Sequence, residues 1–353
     1  MAGGLVIPSS KSFEMVRTVA YNAVCTIQTA QSLRVLTYFP FLCIMFAMER
    51  QKQLIYLAGY IDGDGCFRAN ITTQKQGAVV YERSITITSV KQEPILFFEN
   101  LVGGFVSTDH KEGNRRRIYV WTVKNKDALA TSREILPFLV MKQELCKFFI
   151  KYCENIFPKK TQKLDISILE TRNSLLKQIK NEIHSVGIIR KDLIEDIKNK
   201  GKIKNPTEED FIYLAGMIDA EGCFRVSKRF RKSTNIWIYN TCLEIGNTRI
   251  EIIKWLYERF GGSISYLHSK RINRKNSAIW SCHSQILYPI LVKVVDYLIN
   301  KREVCNELIK FQNTILKNGG DRHSTSFKEK YALVCQEREV IIERIHKLNR
   351  KGL

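Results

Sequence analysis

Two segments of the chain carry the same hydrophobic pattern, and each predicts a helix. Apolar side chains recur in both at positions i, i+3, i+4 and i+7, which lie on one face of a helix. The two sets are Leu54, Leu57, Ala58 and Ile61, and Phe211, Leu214, Ala215 and Ile218. Thr207 and Asp210 predict a capping box at the start of the second helix. The segments IYLAGYIDGDGCFR and IYLAGMIDAEGCFR share 11 of 14 residues at an offset of 157 positions.

Each helix is followed by alternating apolar and polar residues, the two-residue period of a half-buried strand. The polar positions are Arg68, Asn70, Thr72 and Gln74 after the first helix, and Arg225, Ser227, Arg229 and Arg231 after the second. Arginine can pair with guanine in the major groove, and Asn or Gln with adenine. These faces are therefore suited to reading base edges in double-stranded DNA, although a polar sheet face is more ordinarily just solvated.

Further landmarks recur in the same order after each helix. They are Gly103-Gly104 and Gly261-Gly262, then Trp121 and Trp280, then Lys142 and Lys301, at offsets of 158, 159 and 159 residues. Because the spacing holds over the whole unit, it indicates a duplicated domain. Each unit is predicted as helix, two strands, helix, two strands, helix. The fold class expected is α+β, with two pseudosymmetric αββαββα domains built on antiparallel sheets.

Five regions follow from these patterns. Residues 1–50 form an N-terminal extension that contains only two acids and resembles an organelle transit peptide, but translated flanking sequence explains it equally well. The two domains span residues 51–157 and 205–318, and the linker between them, 158–204, carries helical periodicity. The tail, 319–353, has a basic helical pattern and either packs on the protein or contacts the DNA backbone.

The charge of the chain favours a polyanionic partner. Lys and Arg total 56 against 35 Asp and Glu, a net charge of +21, which makes nucleic acid the leading candidate. The ten cysteines have no metal-ligand spacing and are expected to be buried thiols. No run reaches the ~20 apolar residues that cross a bilayer, so we expect a soluble protein with no membrane partner.

Small residues four positions apart form a second stripe on each repeated helix. Glycine inside a helix costs roughly 1 kcal/mol relative to alanine, which close approach of another backbone would offset. We therefore expect the two helices to pack against each other and form the interface between the domains. The interface residues are Gly59 and Gly63 in the first helix and Gly216 and Ala220 in the second. Each helix is expected to end at a glycine in the left-handed conformation, Gly65 or Gly222.

A carboxylate precedes each of these terminal glycines: Asp64 in the first copy and Glu221 in the second. A negative charge is unfavourable at a helix C-terminus, and parallel packing would bring two such ends together. That arrangement calls for a cation, and a hard divalent ion such as Mg²⁺ suits carboxylate and carbonyl oxygens. The alternative is a pair of solvated surface acids. Asp62 and Asp219, also paired, are expected to cap or brace the helix ends.

The repeated segments, with cores LAGYIDGDG and LAGMIDAEG, resemble the motifs of the LAGLIDADG homing endonucleases. Two full motifs at this separation resemble the single-chain, pseudosymmetric class, over roughly two thirds of the chain. The resemblance implies two saddle-shaped antiparallel sheets over a long DNA site, with both motif helices at the domain interface. It also implies double-strand breaks with short 3′ overhangs.

The resemblance also implies roles for individual residues. Asp64 and Glu221 match the metal-binding acids of the family, one for each strand, with backbone carbonyls of Gly63 and Ala220 as further ligands. Lys142 and Lys301 match the basic residue near the active site, although both could instead be surface lysines. Where the family often has a glutamine, the second unit offers Asn247 and the first offers only Ser89.

Three functions are compatible with these observations. The first is an endonuclease that spreads its own intron, acting as a functional monomer with Mg²⁺. The second is an RNA maturase that binds intron RNA, and the third is a transcription regulator, for which we would expect an attached DNA-binding domain. No helix-turn-helix is visible in the linker or tail. The abundance of Ile, Lys and Asn, together with the family resemblance, suggests an organelle intron, with the chloroplast ahead of the mitochondrion.

Overall fold

The computed structural model describes residues 48–73, 79–109, 117–156, 166–184, 189–201, 203–233, 235–269, 275–316 and 325–350. The chain divides into two compact units, residues 1–48 and 49–353, and the second contains every element described below. Residues 1–47, which make up nearly all of the expected N-terminal extension, lie outside the described residues.

The first repeat begins with the first motif helix and ends with two helices in succession. Its elements are α1 (Arg50–Asp64), β1 (Cys66–Thr73), β2 (Val79–Ser89), α2 (Glu93–Val102), β3 (Phe105–Asp109), β4 (Ile118–Lys124), α3 (Asn125–Ile135), a 3₁₀ turn (Leu136–Phe138) and α4 (Gln143–Ile156). The expected linker then contributes α5 (Ile166–His184) and α6 (Lys191–Lys200).

The second repeat has the same order of elements, and a long helix follows it. Its elements are α7 (Glu208–Glu221), β5 (Gly222–Arg231), β6 (Ile236–Asn247), α8 (Ile250–Phe260), β7 (Ser263–Leu267), β8 (Ser277–His283), α9 (Ser284–Val294) and α10 (Arg302–Leu316). The tail forms α11 (Thr325–Arg350). The predicted capping box at Thr207 and Asp210 is present at the start of α7.

The two antiparallel sheets have equivalent strand orders, β1-β2-β4-β3 and β5-β6-β8-β7. The registers also match, since Phe67 pairs with Ile85 in the first sheet and Phe224 with Leu243 in the second. The predicted α+β fold with two pseudosymmetric halves is confirmed. Each half carries one helix more than the αββαββα pattern, because the segment after the last strand breaks into two helices around a turn.

The glycine pairs and the tryptophans form one structural feature in each half. Both glycines of each pair have positive φ, which allows the chain to turn sharply from the helix into the next strand. Trp121 is fully buried and donates its indole N–H to the carbonyl of Gly103 (2.8 Å), and Trp280 does the same to Gly261 (2.7 Å). The indole group therefore satisfies a carbonyl at the helix end while its ring fills the core.

The motif helices α1 and α7 pack against each other in parallel, which confirms the expected domain interface. Lys52 and Glu208 form an ion pair near their N-terminal ends (2.6 Å). A Cβ atom added to Gly59 would collide with the carbonyl of Tyr213, and one added to Gly63 would lie 2.5 Å from Cβ of Ala220. Residues 53–62 of α1 are buried on every side, because one face packs on its own sheet and the other on α7.

The linker and the tail both pack on the body of the protein. In α5, Arg172 is 2% exposed, donates to the Asn155 carbonyl at the end of α4 (2.7 Å) and stacks on the Tyr81 ring. In α11, Arg338 is buried against the rings of Tyr239 and Phe311. The tail helix therefore packs on α10 and on the β5–β6 hairpin.

Two expectations from composition can be compared with the described residues. None of the helices there is both long and apolar enough to cross a bilayer. The eight cysteines in that part of the chain are all free thiols, and five of them are buried, including Cys282, which precedes an exposed His283. The expectation of buried thiols is wrong for Cys66 and Cys223, which are exposed at the start of β1 and β5.

Candidate active site

The buried acids Asp62 and Asp219 link the motif helices to the rest of each half. Asp62 accepts hydrogen bonds from three successive backbone N–H groups just before α4, those of Val140 (2.7 Å), Met141 (3.0 Å) and Lys142 (2.8 Å). Asp219 accepts from the equivalent groups before α10, those of Ile299 (2.6 Å), Asn300 (2.9 Å) and Lys301 (2.8 Å). Each carboxylate thus binds the positive end of a later helix rather than the end of its own.

Two tyrosines cross the helix interface to the same acids. Tyr213 of α7 donates to Asp62 (2.6 Å), and Tyr56 of α1 donates to Asp219 (2.8 Å). Both hydroxyl groups are buried, and their pKa values are raised, first by burial and then by the charge of the acid. These reciprocal bonds fix the register of the two helices. The signal in the sequence was the Tyr that precedes LAG in both motifs.

The two glycines that end the motif helices are not left-handed, so that expectation was wrong. Gly65 has φ −75° and ψ 147°, and Gly222 has φ −68° and ψ 140°, both extended. Glycine is needed instead for space, because a Cβ on Gly65 would lie 2.7 Å from Cα of Ile61, and one on Gly222 would lie 2.8 Å from Cα of Ile218. In each half, the chain passes directly from the motif helix into the first strand at this glycine.

Lys142 and Lys301 lie at the C-terminal ends of the motif helices. The Lys142 ammonium donates to the carbonyls of Ile61 (2.6 Å), Asp62 (3.0 Å) and Gly65 (2.8 Å), with a longer contact to Gly63 (3.4 Å). An ammonium group here satisfies carbonyls that the helix leaves unpaired and offsets its dipole. The alternative that these are surface lysines is wrong for Lys142, because only part of its side chain reaches solvent.

Lys301 makes the equivalent bonds to the carbonyls of Ile218 (2.5 Å) and Asp219 (3.0 Å). Burial lowers the pKa of both lysines, while the nearby acids oppose that effect. Asp64 acts on both lysines, and Glu221 also acts on Lys301. The two lysines therefore share one electrostatic centre with the two acids.

Asp64 and Glu221 meet where the parallel helices end. Both residues keep more than a third of their surface open to solvent. Protein atoms nevertheless surround the Asp64 carboxyl closely, and this burial raises its pKa to about 6, with a further increase from the charge of Glu221. The two carboxyl groups are therefore close enough for each to feel the charge of the other. Such crowding of like charges is relieved by a proton or by a bound cation.

A cavity of about 340 Å³ opens beside these acids. Its lining includes Asp64, Ala220 and Lys301, together with Ser89 and Lys91 from the end of β2. The tail helix α11 also contributes to the wall. The cavity therefore combines residues of both halves, and neither half forms it alone.

The residues in the expected glutamine position, Asn247 and Ser89, cap backbone turns. The Asn247 side chain accepts from the N–H of Arg249 (2.9 Å), and Ser89 accepts from that of Lys91 (3.1 Å). Ser89 also lines the cavity, whereas Asn247 is not among its lining residues. The two cations, Lys91 and Arg249, were missed in the sequence, although their separation of 158 residues matches the duplication.

The polar sheet faces hold the residues expected to bind DNA. Arg68 and Asn70 are exposed on the same face of β1, the backbone of Thr72 continues that strand, and Gln74 lies outside the described residues. In β5, Arg225, Ser227, Arg229 and Arg231 are exposed on one face. Arg225 forms an ion pair with Glu244 of β6, an acid on the same face that sequence reasoning missed. A carboxylate there can also accept from cytosine N4.

The oxygen donors present fit a hard divalent cation. Asp64 and Glu221 supply two carboxylates, and the Gly63 and Ala220 carbonyls lie one residue before them. No cluster of three or more Asp, Glu, His or Cys side chains suited to a metal occurs among the residues described. A cation held by the two acids would therefore need further ligands from backbone carbonyls, water or phosphate.

A family model of the LAGLIDADG endonucleases matches residues 57–153. The first repeat thus matches the LAGLIDADG endonuclease family. A comparison with curated proteins finds no significant match, but solved structures share the fold of the chain. The LAGLIDADG homing endonuclease I-SmaMI bound to cleaved DNA has a TM-score of 0.58 at 18% identity, covering 85% of this chain and 97% of that one.

Two further structures agree. I-SmaMI bound to uncleaved DNA in the presence of calcium ions has a TM-score of 0.54 at 18% identity, covering 80% of this chain and 97% of that one. The LAGLIDADG meganuclease I-AabMI bound to uncleaved DNA has a TM-score of 0.54 at 16% identity, with coverage of 80% and 97%. At these identities the likeness establishes the two-domain LAGLIDADG fold. The predicted resemblance to this family is confirmed, and with it the expected class of enzyme, a DNA endonuclease.

Proposed function

We propose that this protein is a homing endonuclease that cuts both strands of a long DNA site in a metal-dependent reaction and leaves 3′ overhangs. One observation carries the proposal: Asp64 and Glu221 meet at the ends of the parallel motif helices, with Lys142 and Lys301 in the same centre. Two acids and two lysines in matched positions are what cutting two strands requires.

DNA would lie along the two polar sheet faces. The net charge of +21 favours association with the phosphate backbone and makes it dependent on salt. The exposed side chains on β1 and β5 would then read base edges. Arg68 and Asn70 act in the first half, and Arg225, Ser227, Arg229 and Arg231 in the second. Thr72 and Gln74 are proposed to extend the first set.

The residues of the centre divide the chemistry between them. Mg²⁺ held by Asp64, Glu221 and the neighbouring carbonyls would supply Lewis acidity and positive charge at the scissile phosphate. Lys142 and Lys301 stabilise the negative charge that develops on the phosphate oxygens. Asn247 is proposed to orient water at the edge of the centre. Asp62 and Asp219 hold the lysine-bearing segments in place, because they bind the backbone N–H groups of those lysines.

The test is cleavage of a plasmid that carries the joined exon sequence flanking this reading frame. Wild-type protein with Mg²⁺ is expected to linearise the plasmid, and EDTA to prevent this. Asp64→Asn and Glu221→Gln should each abolish double-strand cutting. Asp192→Asn is the control, because that exposed acid of α6 forms an ion pair with its near neighbour Arg190 (2.9 Å).

Two results would contradict the proposal. One is cutting that survives loss of both acids. The other is absence of cutting by a folded wild-type protein that binds the intron RNA tightly, which would favour a maturase. Joined-exon DNA is the informative substrate because an intron-borne nuclease gains a new site only where its intron is absent.

We also infer the biological setting from this function. The reading frame would belong to an organelle intron, in a chloroplast before a mitochondrion, because Ile, Lys and Asn are abundant, as expected from an A+T-rich coding sequence. Because one chain carries both halves of the centre, a monomer is sufficient for double-strand cutting.

A further inference from the structure

Each half places one cation near the lysine of the other half. Lys91, at the end of β2, donates to the carbonyl of Asn300 (3.0 Å), the residue before Lys301, and lines the cavity with Asp64. Arg249 occupies the equivalent place after β6, because its backbone N–H binds the Asn247 side chain just as that of Lys91 binds Ser89. Its charge also lowers the pKa of Lys142. The shared centre of acids and lysines thus has two parts, one for each DNA strand. We call Lys142 with Arg249 the first centre, and Lys301 with Lys91 the second centre.

Arg249 is held by the linker helix. One guanidinium nitrogen donates to the Glu182 carboxylate (3.0 Å) and another to the Glu182 backbone carbonyl (2.7 Å). The pair is well shielded, with side chains 12% and 24% exposed. A charge-assisted contact at two points fixes a planar guanidinium more firmly than one contact would.

The linker helix is itself anchored to the first half. Arg172, near the middle of α5, binds the Asn155 carbonyl and stacks on Tyr81, as described above. The last turn of the same helix then reaches Arg249 in the second half. The Glu182 contact therefore connects the two halves beside the first centre.

The second centre lacks such a contact among the described residues. The Lys91 ammonium donates one hydrogen bond, to a backbone carbonyl, and has no carboxylate partner in that part of the chain. Its flexible ammonium can therefore turn toward a phosphate without breaking an ion pair.

We propose that Glu182 is a positioning residue that holds Arg249 against the phosphate of the strand cut at the first centre, so that the linker controls one strand and not the other. Lys91 acts on the other strand without help from the linker. This inference rests on the proposed nuclease function.

The test measures the cleavage rate of each DNA strand separately. A supercoiled or linear target with a different label on each strand is cut by wild type, Glu182→Gln, Arg249→Ala and Lys91→Ala, at saturating protein. Arg249→Ala and Lys91→Ala are expected to slow opposite strands about tenfold, the effect of one lost charged contact. Glu182→Gln should slow the same strand as Arg249→Ala, several-fold, and leave the other within twofold.

The double variant separates positioning from general destabilisation. Because Glu182 acts through Arg249, Glu182→Gln should have no further effect on the strand ratio in the Arg249→Ala background. Glu195→Gln is the matched control, an exposed linker acid paired with Lys191 at 3.9 Å. It should leave both strands unchanged.

Other outcomes overturn the inference. If Glu182→Gln slows both strands equally, or follows Lys91→Ala, the residue has no strand-specific role, although the nuclease function stands. If wild type cuts neither strand, both proposals fail.

Discussion

The two halves of the protein share the same sheet topology and the same buried hydrogen bonds, but they differ in the helices that pack on them. Their sheets share strand order and register, their tryptophans bind equivalent glycines, and their buried acids bind equivalent helix N-termini. The helices outside the repeats differ, since the linker helix α5 packs on the first half and the tail helix α11 on the second. Packing constrains the interior of a duplicated domain much more tightly than its surface. We therefore expect the halves to differ at their exposed acids, Asp64 and Glu221, at the cations Lys91 and Arg249, and at the accessory helices.

The largest predicted effect concerns the contact that the halves share. Gly59→Val should destabilise the protein by about 3 kcal/mol, because a side chain there collides with the backbone of Tyr213. Gly216→Val should do the same on the opposite helix. The measurement is urea unfolding followed by circular dichroism. Gly246→Ala is the control, since a Cβ there would lie 3.7 Å from its nearest neighbour, Ile279. If Gly59→Val lowers the free energy of unfolding no more than the control does, the helix interface can rearrange to accommodate the side chain.

The second prediction tests whether the interiors are energetically equivalent. Asp62→Asn and Asp219→Asn should each cost about 3 kcal/mol, because each carboxylate serves three backbone donors and a tyrosine that an amide cannot all satisfy. The two losses in free energy of unfolding should agree within about 1 kcal/mol. A large difference would show that the symmetry of the hydrogen bonds does not extend to their energies.

A smaller effect is expected at the crossing tyrosines. Tyr56→Phe and Tyr213→Phe each remove one buried hydrogen bond to a carboxylate, at a cost of about 1.5 kcal/mol. Tyr288→Phe, which removes a part-buried bond to the neutral Asn313, should cost less. Differential scanning calorimetry of the three variants provides the comparison. Equal losses at all three positions would argue against a special role for the crossed pair.

The smallest effect is the pH dependence of the acid pair, measured in EDTA. The pKa of Asp64 is about 6 in the folded protein against 3.8 ordinarily. The folded state therefore binds a proton that the unfolded state lacks between these values, and its stability falls as pH rises through this window. The Asp64→Asn variant should therefore have a higher Tm than wild type above pH 6, and the same Tm as wild type near pH 4. A difference in Tm that persists at pH 4 would show that titration of Asp64 is not its cause.

Much of the architecture could be predicted from local patterns. The spacing of apolar residues identified both motif helices, and alternation identified the strands that follow, because each depends on periodicity within a few residues. The motif and its repetition identified the family and the pair of acids. The small-residue stripe indicated close helix packing, because glycine within a helix requires a reason that the chain itself does not provide.

The tertiary structure decided what those residues contact. No local pattern showed that Asp62 would bind the N-terminus of α4, or that Tyr213 would reach it from the other half, since these partners lie about 80 and 150 residues away. The same holds for Glu182 and Arg249, which are 67 residues apart. Gly65 was predicted as a left-handed cap, whereas in the fold it makes room for Ile61. Periodicity depends on neighbours along the chain, but the partner of a buried charge depends on which distant groups packing brings to it.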